Sequence, residues 1–305
     1  PKLISGGSDM RTLDIKGSTI AYGEDGTGET LILVHGSAGS GSQWRDLRIH
    51  LPGSYRVLTP DLYGYGLSDS WSDGGRLRLT DEAAPIAQLI EQADGPVHLV
   101  GHSYGGAVAL RLAHECPDKI QSLTVIEPVA FQLLAQGGPR ERALHQEIME
   151  VAKALSRATL VGDYQDGMRT FIDYWNGAGA WARLHDHIRR DLCRRASKVI
   201  LDFAATFSER TTREDLARIQ IPTLVLRGTR TPGPARQVAD MVATTIPGAE
   251  MQIIDGAGHM SPLSHSRQIA AAISEHLSLG ETDRLLRRAL TRRPANAELQ
   301  AAQAS

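Results

Sequence analysis

Six residues, GHSYGG (101–106), constrain this chain more than any other stretch. They follow the apolar run VHLV (97–100) and open YGGAVALRLAHECP (104–117), whose apolar residues recur at helical spacing until Pro117 stops it. A G-x-S-x-G sequence between a strand and a helix demands a sharp turn that holds Ser103 in a strained backbone conformation. The small residues two before and two after it let strand and helix approach closely. The serine hydroxyl then stands above the sheet, at the positive end of the helix.

The same alternation runs through most of the chain. LILVHG (31–36), YRVLTPD (55–61) and SLTVIEP (122–128) are short apolar runs that end in turn or polar residues. Near-continuous apolar strands separated by helices predict an α/β fold, with a mostly parallel central sheet and helices on both faces. From about 131 to 214 the strand signal vanishes. That stretch is rich in Arg, Ala and Leu at helical spacing, broken by NGAGA (176–180). Strands resume at IPTLVLRG (221–228) and EMQIIDG (250–256), with a helix from about Pro262. The expected organisation is a first core part over 1–130, an inserted helical lid over 131–214 and a second core part over 215–280. A C-terminal extension, helical or disordered, fills 281–305.

Composition narrows the function classes. The 33 Lys and Arg stand against 35 Asp and Glu, so nothing draws the chain to nucleic acid or to an acidic membrane. No run approaches about 18 apolar residues, and PKLISGGSDM lacks the apolar core of a leader peptide. Cys116 and Cys193 are too few for a disulfide framework, which points to a reducing, cytoplasmic setting. His185 and His187 lie two apart and do not share a helix face, so no metal pair is read there.

A serine hydroxyl becomes a nucleophile only when a base takes its proton. DGAGHMSPLSH (255–265) follows the last strand, and Gly256 and Gly258 let the loop swing back over the sheet to bring His259 to Ser103. His265 reads as a surface or capping residue. HGSAGSGSQW (35–44) follows LILV and offers the backbone N–H of Ser37, with that of Tyr104, as two donors for an oxyanion. His35 itself reads as a brace for that loop, and DLYGYGLSDS (61–70) as structural turns.

The H-G loop, the D-x-x-G-x-G-x-S stretch at 61–68, the G-x-S-x-G turn and the late G-x-G-H together resemble the α/β-hydrolase superfamily, from about residue 11 to 278. The resemblance implies a triad in the chain order serine, acid, histidine. In relatives the acid is usually an aspartate in the turn after the strand LVL (224–226). Here that turn, RGTRTPGP, offers only Thr231. Glu127, at the end of the strand after the elbow helix, is the leading candidate. Its placement resembles a variant in some haloalkane dehalogenases and lactone hydrolases. Asp255 is a second candidate, a triad without an acid a third, and bracing of the lid hinge the competing role for Glu127.

The implied chemistry is acyl transfer from an ester or lactone to water, through an acyl-enzyme and without metal or organic cofactor. Two alternatives stand beside it: cleavage of a carbon–carbon bond in a vinylogous diketone, and a small-molecule receptor with low turnover. The partner is a small molecule, an apolar or aromatic ester or lactone, and the oligomeric state is open. Trp44, Phe171, Tyr174, Trp175 and Trp181 are candidates for the pocket, against the reading that they pack the lid onto the core.

Overall fold

A computed structural model describes residues 9–72 and 74–291. The leader expectation (mostly residues 1–8) and the last part of the C-terminal extension (292–305) lie outside the described residues.

Eight strands form one sheet in the order β1-β2-β4-β3-β5-β6-β7-β8 among the described residues. They are β1 (Asp9–Ile15), β2 (Ser18–Asp25), β3 (Glu29–Val34), β4 (Tyr55–Pro60), β5 (Val97–His102), β6 (Ile120–Ile126), β7 (Thr223–Gly228) and β8 (Glu250–Ile254). The pairs from β4 through β8 are parallel, whereas β1 and β2 form an antiparallel hairpin at one edge. Sequence reading had passed over that hairpin. Its signal is a short alternation, Leu13 and Ile15 against Ile20 and Tyr22. Between them lies the two-residue turn Lys16–Gly17, with φ of 53° and 83°.

The interior strands are apolar on both sides, and successive residues feed two cores. Ile32, Val34, Leu99 and Val125 pack with α2 (Leu79–Glu91) and α3 (Tyr104–Glu115). Leu31, Leu33, Val100 and Ile126 pack on the other face, with Leu47 of α1 (Arg45–Arg48) and Ile269 and Ile273 of α12 (Ser266–Thr291). Each fully buried Leu, Ile or Val contributes roughly 1.5–3 kcal/mol, so burial on both faces holds the sheet between its helices. Helix α12 runs without a break past residue 280.

Six helices fill the chain between β6 and β7: α4 (Gln132–Ala135), α5 (Pro139–Leu160), α6 (Tyr164–Asn176), α7 (Asp186–Arg194), α8 (Ala196–Phe207) and α9 (Arg213–Leu216). The insertion docks by aromatic side chains. Phe131 stacks on Trp175 and Phe203, and Phe171 meets Phe203 edge-on. After β7 come α10 (Gly233–Thr245), and after β8 the short α11 (Ser261–Ser264) leading into α12.

Candidate active site

The C-terminal ends of β5, β6 and β7 build the site. His102 of β5 is in register with Ile126 of β6, and Ile126 with Leu226 of β7. The residues that follow, Ser103 and Glu127, extend the ladder: Ser103 N–H donates to Ile126 O at 2.9 Å and Glu127 N–H to Leu226 O at 2.8 Å. Both then leave the strand with positive φ, 54° and 52°, conformations that side-chain-bearing residues rarely adopt. The tight turn at Ser103 explains its glycines. A Cβ on Gly101 would sit 2.3 Å from the Gly105 carbonyl oxygen, and one on Gly105 would sit 2.3 Å from the Val34 carbonyl oxygen.

His259, from the loop between β8 and α11, places Nε2 2.9 Å from Ser103 Oγ, with both residues buried. Its Nδ1 lies 3.5 Å from Glu127 Oε2. That is longer than a hydrogen bond, and neither atom has another partner. Catalytic contacts are often this long in the absence of substrate. The other oxygen, Oε1, accepts from the Gly228 N–H and the Thr231 hydroxyl, each at 2.6 Å. Thr231, in the turn where the resemblance placed the usual acid, is therefore a donor to the glutamate. Asp255 is exposed and accepts from the Thr229 hydroxyl at 3.3 Å.

Two further histidines, both buried, brace this arrangement. His102 Nε2–H donates to the His259 carbonyl at 2.9 Å, and Gln43 Nε2 donates to its Nδ1 at 3.1 Å. Burial, with His259 nearby, pushes the His102 pKa down to about 3, so the ring is neutral. As the variable residue of G-x-S-x-G, His102 carries no signal in the sequence for this role. His35 Nδ1–H donates to Gly36 O at 2.7 Å while Nε2 accepts from Leu62 N–H at 3.1 Å. Burial lowers its pKa to about 4. His35 thus ties the loop after β3 to the loop after β4, as a neutral brace.

The loop after β3 is held from the insertion as well. Ser37 Oγ donates to Asp202 Oδ2 of α8 at 2.6 Å, and Arg195 Nη1 donates to Ala38 O at 2.6 Å. Ala38 has a φ of 59°, a strained turn that these bonds help to fix. The Ser37 N–H has no acceptor among the described residues, and that of Tyr104 is at the first position of α3, where no intrahelical acceptor exists.

Behind this loop lies a buried ionic cluster that sequence reading missed, because its members come from distant segments. Lys198 Nζ bonds Glu82 Oε1 at 2.6 Å and also Asp202, and the Tyr65 hydroxyl donates to Asp202 at 2.6 Å. The ammonium lies 4.6 Å from the Tyr65 ring centroid and 5.0 Å from that of Tyr104. Burial raises the pKa of both Glu82 and Asp202 despite the lysine. It works to lower that of Lys198, but Asp202 and Glu82 more than offset it, so the ammonium is retained.

A cavity of about 540 Å³ opens onto Ser103 and His259. Phe171 and Trp175 line it, and the Trp175 ring stacks on the His259 imidazole with centroids 4.0 Å apart and planes 27° apart. Among the described lining residues Trp44, Tyr174 and Trp181 are missing. Trp44 is fully buried in the core on the far face of the sheet, because the short turn Gly41–Trp44 rotates it inward against Leu47. Tyr174 points to α5, where its hydroxyl donates to Glu147 at 2.8 Å. Trp181 is buried within the insertion, with its N–H donated to Asp173 at 2.7 Å.

No group of His, Cys, Asp and Glu among the described residues is arranged to hold a metal ion. No helix among them is long and apolar enough to cross a membrane. The model of the alpha/beta hydrolase family matches residues 31–272. Lipase LipV of Mycobacterium tuberculosis is 30% identical over 84% of this chain and 95% of its own length. A putative 2-succinyl-6-hydroxy-2,4-cyclohexadiene-1-carboxylate synthase of Bacillus subtilis is 26% identical over 82% of this chain and 90% of its own. The enol-lactonase of Burkholderia xenovorans LB400 superposes with a TM-score of 0.71 over 88% of this chain and 100% of its own, at 19% identity.

Proposed function

Because the chain belongs to the α/β-hydrolase family and is a hydrolase of that type, we propose that it cleaves a small carboxylic ester or lactone through an acyl-enzyme on Ser103. The observation that carries this reading is the 2.9 Å contact from His259 Nε2 to Ser103 Oγ, with a carboxylate behind the imidazole. His259 takes the hydroxyl proton as Ser103 Oγ attacks the carbonyl carbon. The N–H groups of Ser37 and Tyr104 donate hydrogen bonds to the developing oxyanion. Glu127 keeps the Nδ1–H tautomer and stabilises the imidazolium, which then protonates the leaving alkoxide. Water, activated by the same imidazole, releases the acid and restores Ser103.

The helical insertion from α4 to α9 serves as the lid of this site. Through Phe171 and Trp175 it favours an apolar or aromatic portion of the substrate near the scissile bond. Relatives named as a lipase and an enol-lactonase favour ester chemistry, whereas another relative is named as a putative synthase. Turnover therefore decides. The wild type is expected to hydrolyse p-nitrophenyl butyrate and to be labelled at Ser103 by a fluorophosphonate. Ser103→Ala is expected to lose both. Hydrolysis that survives Ser103→Ala, or a wild type that is neither labelled nor active, overturns the proposal.

A further inference from the structure

The cavity at Ser103 is larger than an acyl carbonyl requires, and its charge is one-sided. Among its described lining residues the side chains of fixed charge are Arg183 and Arg195, and no Asp or Glu is present. Arg195 is committed elsewhere. It pairs with Asp191 one turn earlier and donates to the carbonyls of Ala38 and Gly39. Arg183 forms no ion pair among the described residues, and its guanidinium makes one long contact, Nη1 to Ala178 O at 3.4 Å.

The backbone that carries Arg183 is fixed. It closes the short helical turn Trp181–Arg183, in which Trp181 is buried with its N–H on the Asp173 carboxylate. Arg183 N–H in turn donates to Ala180 O at 3.2 Å. Near it the cavity wall is apolar, with Ile172 and Leu184. A planar guanidinium with open donors on the wall of a half-apolar cavity matches a carboxylate in two-pronged geometry. With Arg195 already paired to Asp191, Arg183 is the cation on this wall whose charge is left to draw an anion in.

We propose that the site takes esters or lactones whose far end carries a carboxylate, and that Arg183 binds that carboxylate. This rests on the ester-hydrolase reading of Ser103, with the apolar wall taking the chain between the two ends.

The test uses two esters with the same six-carbon acyl chain, monomethyl adipate and methyl hexanoate, which differ in the terminal carboxylate. The quantity read is the ratio of their kcat/KM values within each protein, so a general loss of activity or stability cancels. A charge-assisted contact at a partly open site predicts a wild-type ratio of about tenfold in favour of the adipate. The ratio should fall towards one in Arg183→Gln, recover in part in Arg183→Lys, and shrink as ionic strength rises from about 0.02 to 0.3 M. A wild-type ratio near or below one, or a ratio that Arg183→Gln leaves unchanged, overturns the proposal.

If neither ester is turned over, p-nitrophenyl butyrate and the fluorophosphonate label still decide the hydrolase reading, and binding decides the carboxylate site. Calorimetric titration of both esters into Ser103→Ala, with and without Arg183→Gln, should show the same preference and its loss. Equal affinity for the two esters would overturn it.

Discussion

Glu127 presents two unlike oxygens, and that asymmetry makes Glu127→Gln a sharp perturbation. Oε1 accepts from the Gly228 N–H and the Thr231 hydroxyl, whereas Oε2 faces only His259 Nδ1. The introduced amide has one acceptor end and one donor end. The Gly228 N–H can only donate, so the carbonyl oxygen takes the Oε1 place and the amide NH2 turns towards the imidazole. Two donors would then meet unless Nδ1 gives up its proton. The imidazole shifts to its Nε2–H tautomer, which cannot receive the proton of Ser103. Flipping the amide points its NH2 at the Gly228 N–H and leaves a buried donor unsatisfied, at about 1–3 kcal/mol. That holds the productive arrangement to roughly a sixth or less, and its imidazolium still lacks an anion.

The expected loss in kcat is on the order of 10⁴, or about 5.5 kcal/mol at about 1.36 kcal/mol per tenfold. KM should change by less than about threefold, since Glu127 is buried behind the imidazole and does not line the cavity. Steady-state hydrolysis of p-nitrophenyl butyrate reads both constants, and a thermal melt by circular dichroism confirms the fold. A folded Glu127→Gln protein with kcat within tenfold of wild type would refute the tautomer argument and the acid assignment together.

Three further outcomes follow from the same geometry. Thr231→Val removes the hydroxyl donated to Glu127 at 2.6 Å and should lower kcat about tenfold with KM unchanged, part of the worth of a hydrogen bond to a charge. Unchanged kcat would show that Thr231 does not position the glutamate. Trp175→Ala strips the ring from the face of His259 and should lower kcat/KM by about two- to thirtyfold on p-nitrophenyl butyrate, since an aromatic face on a cation is worth about 0.5–2 kcal/mol. An unaltered kcat/KM would mean the stacking is incidental. His102→Gln should destabilise the protein at pH 7, but by less as the pH falls from 6.5 to 4.5. With a folded pKa of about 3, His102 stays unprotonated in the fold while the unfolded wild-type chain takes up a proton, so only the wild type loses stability there. The deficit in urea denaturation should narrow with a slope that approaches about 1.4 kcal/mol per pH unit well below pH 6.5, and a constant deficit would contradict the buried, neutral ring.

Ser103 and His259 were legible because their motifs are backbone constraints. A glycine that tolerates no Cβ and a loop that returns over the sheet fix a side chain through nearest neighbours in sequence. Glu127 was legible for a related reason, since strand order fixes which strand ends share a crevice. Thr231 was visible only as an absence. That it donates to Glu127 depends on the contact between the ends of β6 and β7, 104 residues apart in sequence. The Lys198 cluster joins residues 116 apart, and no periodicity carries such a pairing. Trp44 was misplaced because one short helical turn decides which face of the sheet a bulky ring enters, and its neighbours in sequence do not differ between the two cases.

The bonds from Asp202 to Ser37 and from Arg195 to Ala38 also bear on how such a scaffold can be altered. A foreign insertion grafted between β6 and β7 would bring new cavity walls, yet it would strip the loop after β3 of its two anchors from α8 and Arg195 and leave Glu82 buried without its ammonium. Exchange of the insertion as a module is closed to this chain unless Arg195, Lys198 and Asp202 travel with the host. Diversification by point changes along α6 and the Trp181–Arg183 turn is not. In this protein one continuous insertion carries both the cavity wall, on α6 and the Trp181–Arg183 turn, and the anchors of the loop after β3, at Arg195 and on α8.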